Sequence, residues 1–300
     1  MLQTFDKRNK DLQININGEL FHRDVAGISP FDSVVQGGDG VWEGLRLYNG
    51  RIFKLEEHLN RLRHSAQAMA FENIPNNEEM ISEIAKTIQA NNMNDGVHIR
   101  LTLTRGKKIT SGMDPRLNQD GNTLIVLAEF KSPVYDTSGL SLATSSIRRF
   151  TPDTLDPKIH SCNLIQSIMA KIEANAAGVD DALMLDSRGF IAETNATHLF
   201  FVKDEVVLTS KAIACPEGVT RQVVIDLCNE HSIDLIVKDC SQAELYRADE
   251  CFCTGTMGEL ASITKVDGRI IGSGSIGPMT SRLTDLFKSL VAKSGTLINC

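Results

Sequence analysis

Three two-residue turn signals constrain this chain more than any other feature. Asn17-Gly18, Asn49-Gly50 and Asp267-Gly268 each lie between strand-like runs. Both central residues of such a turn take left-handed backbone, which Asn, Asp and Gly tolerate, and the turn's twist then matches that of two antiparallel strands. Hairpins this frequent exclude a purely parallel, doubly wound sheet. Helical periodicity is also present. Leu59, Leu62, Ala66 and Met69 share one face of a helix predicted over 56–70, and Met80, Ile81, Ile84 and Ile88 share one face of a helix over 77–91. Further helices are expected over 220–231 and 279–292. The fold class expected is therefore α/β (α+β), mixed sheets with flanking helices.

A chain of 300 residues can bury a sizeable core and divides most naturally into two domains. The polar, Pro- and Gly-containing run 131–139 (KSPVYDTSG) is the expected linker. It separates a smaller α/β domain, 1–130, from a larger one, 140–300. The net charge of −7 argues against nucleic acid as a partner, because phosphate neutralisation needs a basic surface. The first residues, MLQTFDKRNKDLQ, contain no apolar signal core, and no run approaches the ~18 apolar residues that span a bilayer. There are seven cysteines and no CxxC pair. Cys251 and Cys253 alternate onto one face of a strand, where they read as small core residues rather than a redox or metal pair. A reduced, cytoplasmic setting without a metal site is expected.

The stretch 157–202 carries the chemistry. Lys158 precedes a helix, and Glu193 ends a strand after an intervening hairpin. An amine and a carboxylate brought together in this way could hold an aromatic aldehyde from both ends. Other candidates are ambiguous alone. Gly218-Val219-Thr220 opens a helix whose first amides lack intrahelical acceptors and so favour an anion, but it also reads as an ordinary helix start capped by Thr220. Thr254-Gly255-Thr256-Met257-Gly258 is a small-residue turn with hydroxyls and amides for an anion, or a plain turn. Arg61 lies off the apolar face of its helix, as a solvated arginine would. His98 and Arg100 share the non-apolar face of the strand 96–104, which meets either water or an anionic ligand. Gly272-Ser273-Gly274-Ser275-Ile276-Gly277 imitates a dinucleotide loop, but only one helix follows, so it reads as a loop into a helix begun by Pro278.

The order of these signals is more specific than any one of them. Gly38-Asp39-Gly40-Val41-Trp42-Glu43-Gly44-Leu45-Arg46, Glu57-His58-Leu59-Asn60-Arg61-Leu62, His98-Ile99-Arg100, Gly189-Phe190-Ile191-Ala192-Glu193-Thr194, Pro216-Glu217-Gly218-Val219-Thr220-Arg221 and Thr254-Gly255-Thr256 together resemble the class IV aminotransferases. These are the fold type IV enzymes of pyridoxal 5′-phosphate, and the resemblance covers about 30–290. It implies the two-domain D-amino acid aminotransferase-like fold. It gives Lys158 the Schiff-base role and Glu193 the pyridine nitrogen. Arg61, the amides of Val219 and Thr220, and Thr256 would take the phosphate. Arg100, His98 and the amides of Met257 and Gly258 would take the substrate carboxylate. The implied reaction moves an amino group from an L-amino acid, of branched-chain type, to 2-oxoglutarate. The implied assembly is a homodimer in which the loop 107–119, with Arg116, closes the partner's site.

The sequence departs from the family at the lysine. The family places it three or four residues before the helix-opening asparagine, whereas Lys158 is five before Asn163 and His160 is three before. One extra loop residue accommodates Lys158, and an extended segment would point Lys158 and His160 to the same side. The alternative is a non-catalytic homologue with His160 at the lysine position, since imidazole forms no stable Schiff base. Within the family, a D-amino acid transaminase or aminodeoxychorismate lyase is the other alternative. Leu164 stands where branched-chain enzymes carry tyrosine, His98 likewise, and His198 where asparagine is common.

Overall fold

The computed structural model describes residues 3–135 and 138–298. Asp136 and Thr137 of the expected linker, and the first two and last two residues of the expected domains, lie outside the described residues. Two compact units are present. The first comprises Gln3–Ser132, Ile159–Asn163 and the residues from 294 to 298, and the second comprises Pro133–Lys158 and Leu164–Lys293. The chain thus returns to the first unit for five residues immediately after Lys158.

The first unit contains β1 (Gln13–Ile16), β2 (Glu19–His22), α1 (Ser33–Gly37), β3 (Gly40–Tyr48), β4 (Arg51–Ile52), α2 (Leu55–Ala68), α3 (Asn77–Ala90), β5 (Val97–Thr104) and β6 (Thr123–Phe130). Its sheet is antiparallel, in the order Thr296–Leu297, β4, β3, β5, β6, β1, β2. The Asn-Gly turns are as the sequence requires. Asn17 and Gly18 have φ of 51° and 84°, and Asn49 and Gly50 have 47° and 74°. Asn76 starts α3 with a reciprocal capping box to Glu79. Val41, Leu45 and Leu47 of β3 and Val97, Ile99, Leu101 and Leu103 of β5 form one core with Leu59 and Leu62 of α2 and Ile84 and Ile88 of α3. Strand alternation puts Trp42, Gly44 and Arg46 of β3, and His98 and Arg100 of β5, on the other face.

The returning segment lies along the start of β3. Trp42 N donates to His160 O at 3.1 Å, Cys162 N to Gly40 O at 2.7 Å, and Trp42 Nε1 to Ser161 O at 3.1 Å. Lys158 is not part of this extended run. It sits in a turn, its amide donating to Asp156 Oδ1 at 3.0 Å. The expectation that Lys158 and His160 share a side fails for this reason, because side-chain alternation requires continuous extended backbone.

The second unit contains β7 (Leu140–Arg148), α4 (Ile165–Ala176), β8 (Asp181–Leu185), β9 (Ile191–Thr194), β10 (His198–Lys203), β11 (Val206–Ser210), α5 (Val219–Glu230), β12 (Leu235–Lys238), α6 (Gln242–Leu245), β13 (Glu250–Gly255), β14 (Glu259–Val266), β15 (Arg269–Ile270) and α7 (Pro278–Lys293). Its sheet is mixed, in the order β12, β11, β10, β13, β14, β7, β8, β9, with β15 paired to β14. β11/β12, β14/β7 and β7/β8 are parallel and the other pairs antiparallel. Cys251 and Cys253 are buried in its core. No helix among the described residues is long and apolar enough to cross a membrane.

The glycine string 272–277 leads into α7 at Pro278, as expected. An internal anion occupies that helix start. Buried Glu250 accepts from Met279 N at 2.9 Å and from Thr280 N and Thr280 Oγ1 at 2.7 Å each. A Cβ at Gly277 would lie 2.1 Å from Glu250 Cδ, so only glycine fits there. Glu250→Ala should therefore destabilise the protein by about 1–3 kcal/mol in chemical denaturation, with Glu250→Gln losing less.

Candidate active site

In the first unit the predicted residues Arg61, His98 and Arg100 fall into two groups. Arg61, on α2, points at Glu43 of β3. Its Nε lies 2.6 Å from Glu43 Oε1 and its Nη2 lies 2.7 Å from Oε2. His58 Nδ1 is 2.6 Å from Oε2, and His160 Nδ1 is 3.2 Å from Oε1. Burial would raise the Glu43 carboxyl, but Arg61, His160 and His58 together hold it well below the usual carboxylate range. Burial also lowers His160 from its ordinary 6.5, against the pull of Glu43. The His160 ring stacks on Trp42 with centroids 4.4 Å apart. Its backbone N donates to Ser65 Oγ at 3.0 Å. The histidine at the family's lysine spacing is thus tied into the packing of the first unit.

His98 and Arg100 sit together on the second face of the sheet. Arg100 Cζ is 3.5 Å from the Trp42 ring centroid, a cation–π contact. His98 is buried, and that burial lowers its pKa below 6.5 despite Glu129, 3.8 Å away. At neutral pH His98 is therefore a neutral hydrogen-bonding group rather than a cation. Arg116 is exposed on a short 3₁₀ turn and is paired with Asp114.

In the second unit Glu193, on β9, is buried, with Arg149 Nη2 2.8 Å from its Oε1 and His198 Nδ1 4.0 Å from its Oε2. Arg149 is fixed in turn by Ser167 Oγ at 3.1 Å and Thr194 O at 3.1 Å. His198 reaches the start of α5, where a Cβ on Gly218 would lie 2.2 Å from its ring. One imidazole thus spans from the Glu193 carboxylate to that helix N-terminus. Gly218, not Thr220, is the N-cap, and it supplies no side-chain bond. Val219 and Thr220 fill the first turn, so their amides have no intrahelical acceptor. Thr256, Met257 and Gly258 form the turn between β13 and β14. Tyr135 supports that turn: its ring lies 2.4 Å from the Cβ position of Gly258, Val134 N donates to Met257 O at 3.1 Å, and Tyr135 Oη donates to Asp181 Oδ2 at 2.6 Å. Lys158 is exposed. Its charge acts on the buried Cys215 thiol together with those of Glu193, Arg221 and Arg149, while burial pushes that thiol up. Lys158 and Glu193 are thus within electrostatic reach of one common residue.

The donor set suits pyridoxal 5′-phosphate. It offers open amides at the start of a 12-residue helix, a buried carboxylate, and the Thr254 hydroxyl, buried with no hydrogen-bond partner among the described residues. Sequence reasoning missed Glu43, His58, Arg149 and Tyr135. The pair Arg148-Arg149 at the end of an apolar strand was the available signal for one of them.

Two sheets flanked by helices, with a helix start whose amides are open and a buried carboxylate in the second unit, define an α/β protein with a candidate anion site. Its family follows from comparison. The model of amino-transferase class IV matches residues 40–266. The chain is 52% identical over 97% of its length to branched-chain-amino-acid aminotransferase-like protein 2 of Arabidopsis thaliana, of which it spans 52%. It is 37% identical to the putative branched-chain-amino-acid aminotransferase of Methanocaldococcus jannaschii, covering 95% of this chain and 98% of that one. A crystal structure of the Escherichia coli branched-chain amino acid aminotransferase superposes with a TM-score of 0.88 at 28% identity, covering 94% of this chain and 95% of that one. A second branched-chain amino acid aminotransferase, solved in complex with N-(5′-phosphopyridoxyl)-L-glutamate, superposes with a TM-score of 0.86 at 32% identity, covering 93% of this chain and 94% of that one. The chain belongs to the class IV aminotransferases, a family of transferases with the fold type IV architecture, and is branched-chain aminotransferase-like.

Both lowered histidines give a pH dependence with a definite sign. His98 and His160 are neutral in the fold down to below their ordinary 6.5, whereas the unfolded chain protonates them near 6.5. The unfolded state then binds more protons, so stability is complete above 6.5 and declines as pH falls below it. Each histidine contributes at most about 1.4 kcal/mol per pH unit across that window. Melting temperature should fall between pH 7.5 and 5.5, and His98→Gln should flatten the decline. An unchanged slope in that variant would rule out its share.

Proposed function

We propose that the protein is a pyridoxal 5′-phosphate-dependent transaminase that passes the amino group of a branched-chain L-amino acid to 2-oxoglutarate, acting as a homodimer in a cytoplasmic setting. The observation that carries the reading is the placement of Lys158. It is exposed in the turn ahead of α4, whereas His160 is engaged by Glu43 and Trp42.

Pyridoxal 5′-phosphate, when bound, supplies an electron sink for the charge left on the substrate α-carbon. The chain's residues do the rest in this reading. Glu193 accepts the hydrogen bond of the pyridine N–H, and Arg149 fixes the orientation of its carboxylate. Arg61, the amides of Val219 and Thr220, and the Thr256 hydroxyl hold the phosphate. Arg100, His98 and the amides of Met257 and Gly258 hold the substrate carboxylate. Lys158, as a free amine, takes the proton from the substrate α-carbon.

A second reading has one observation in its favour. His160 lies three residues before Asn163 and shares the Glu43 carboxylate with Arg61, so a cofactor-binding protein without Lys158 chemistry is a coherent alternative. Covalent attachment separates the two. Incubation with pyridoxal 5′-phosphate should give a band near about 410–430 nm, and borohydride should remove it and fix the cofactor to the peptide containing Lys158. Lys158→Ala should lose the band and at least about a thousandfold in turnover. Absence of the band in the wild-type protein would favour the second reading, and an unchanged band in Lys158→Ala would overturn the role given to Lys158. A screen of L- and D-amino acids, read at the same band, identifies the donor and its stereochemistry.

A further inference from the structure

His198 is buried at the first position of β10 and has no role in the site as proposed above. Its ring is held between two features of the second unit. On one side, Nδ1 is 4.0 Å from Glu193 Oε2. On the other, Nε2 and Cδ2 each lie 2.2 Å from where a Cβ on Gly218 would stand. Gly218 is the N-cap of α5 and makes no side-chain cap. A capping side chain would start at that Cβ and turn its oxygen to the amides of the first turn. The imidazole edge therefore fills the capping position from outside the helix.

A buried hydroxyl lies on the same sheet face. His198 is directly opposite Thr254 in the β10/β13 register. Residues so placed share a face, with Cβ atoms about 4.5–5.5 Å apart. Thr254 is fully buried, and its hydroxyl has no hydrogen-bond partner among the described residues. That is a cost which a ligand oxygen removes. Because α5 packs against β13, its open amides, the imidazole edge and this hydroxyl form one neighbourhood.

The fixed charges around the ring are matched in sign. Glu193 is paired with Arg149, and Glu217 acts on Arg221, whose Cβ lies 3.2 Å from the same Gly218 position. The Cys215 thiol is pushed up by burial and stays neutral. An anion arriving at the start of α5 thus meets a group that can add positive charge by taking a proton. With an anion on either side, the doubly protonated ring donates from both nitrogens. We propose that His198 binds the phosphate of the cofactor as an imidazolium, donating Nε2–H to it and Nδ1–H to Glu193. This rests on the cofactor reading above. One rigid ring then ties the phosphate to the carboxylate that receives the pyridine N–H.

The test titrates the whole chain calorimetrically with pyridoxamine 5′-phosphate and with pyridoxamine. Neither probe carries an aldehyde, so binding does not depend on Lys158. A glutamine amide nitrogen can take the place of Nε2, and an asparagine amide nitrogen that of Nδ1. His198→Asn should therefore lower the preference for the phosphorylated probe about tenfold to a hundredfold, the value of one charge-assisted hydrogen bond. His198→Gln should keep most of it. With pyridoxamine 5′-phosphate bound at about pH 7.5, well above the ordinary imidazole value, ¹⁵N spectra of histidine-labelled wild-type protein should show both ring nitrogens of His198 protonated. The signals are assigned by their absence in either variant. Melting curves identify a variant that fails to fold, in which case the other variant and the wild-type spectrum carry the comparison. A wild-type protein with no preference for the phosphorylated probe, an undiminished preference in His198→Asn, or a neutral His198 ring in the complex overturns the proposal. Failure of the transaminase reading looks different: no amino acid reacts and borohydride fixes nothing to the chain, while the phosphate preference and its dependence on His198 persist.

Discussion

The first unit depends on one buried carboxylate. Glu43 has no exposed surface, yet its two oxygens lie within 2.6–3.2 Å of Arg61, His58 and His160. These contacts join a strand, a helix and the segment that returns from the second unit. Burial of the ion would be prohibitive with one partner missing, because removing one member of a buried pair typically costs about 3–5 kcal/mol. Arg61 consequently has a fixed direction before any ligand arrives. An arginine on a solvated helix face would lose rotamer entropy on binding any anion, and here Glu43 has already removed that freedom.

Much of the architecture was legible because its causes are local. The Asn-Gly and Asp-Gly turns dictate hairpins by backbone sterics alone, and the apolar spacing over 56–70 and 77–91 dictates which helix faces go inward. The short α1 and the terminal strand Thr296–Leu297 lacked such signals, being five and two residues long. The return of Ile159–Asn163 to the first unit was not legible either. Its pairing with Gly40–Trp42 is made by backbone groups, which every sequence possesses, and by His160, whose partner Glu43 is 117 residues away.

The same distinction governs the candidate site. Residues that act by side-chain charge, such as Arg61, Arg100 and Glu193, could be picked out from the sequence as candidates. Their partners could not. Arg149 beside Glu193 and Tyr135 beneath Gly258 are set by strand register and by loop paths, and neither follows from spacing. Lys158 illustrates the limit most clearly. Alternation in an extended segment would have paired it with His160, but an Asx-type bond to Asp156 turns the chain at that point. A turn can absorb one additional residue without disturbing the backbone on either side, so a spacing of five to Asn163 is compatible with an intact site.

The two units offer an anion different physics. In the second, the candidate donors are amides at the start of α5 and in the turn 256–258. They bring partial charges only, and they demand glycine where other groups approach closely, as at Gly218 against His198 and Gly258 against Tyr135. Such sites are inexpensive to form, and nearly silent in a composition. In the first, full charges are placed on a sheet face, where each guanidinium must find an acceptor or remain a cost. Arg61 has Glu43, Arg100 has the Trp42 ring and Arg46 has the Tyr48 ring.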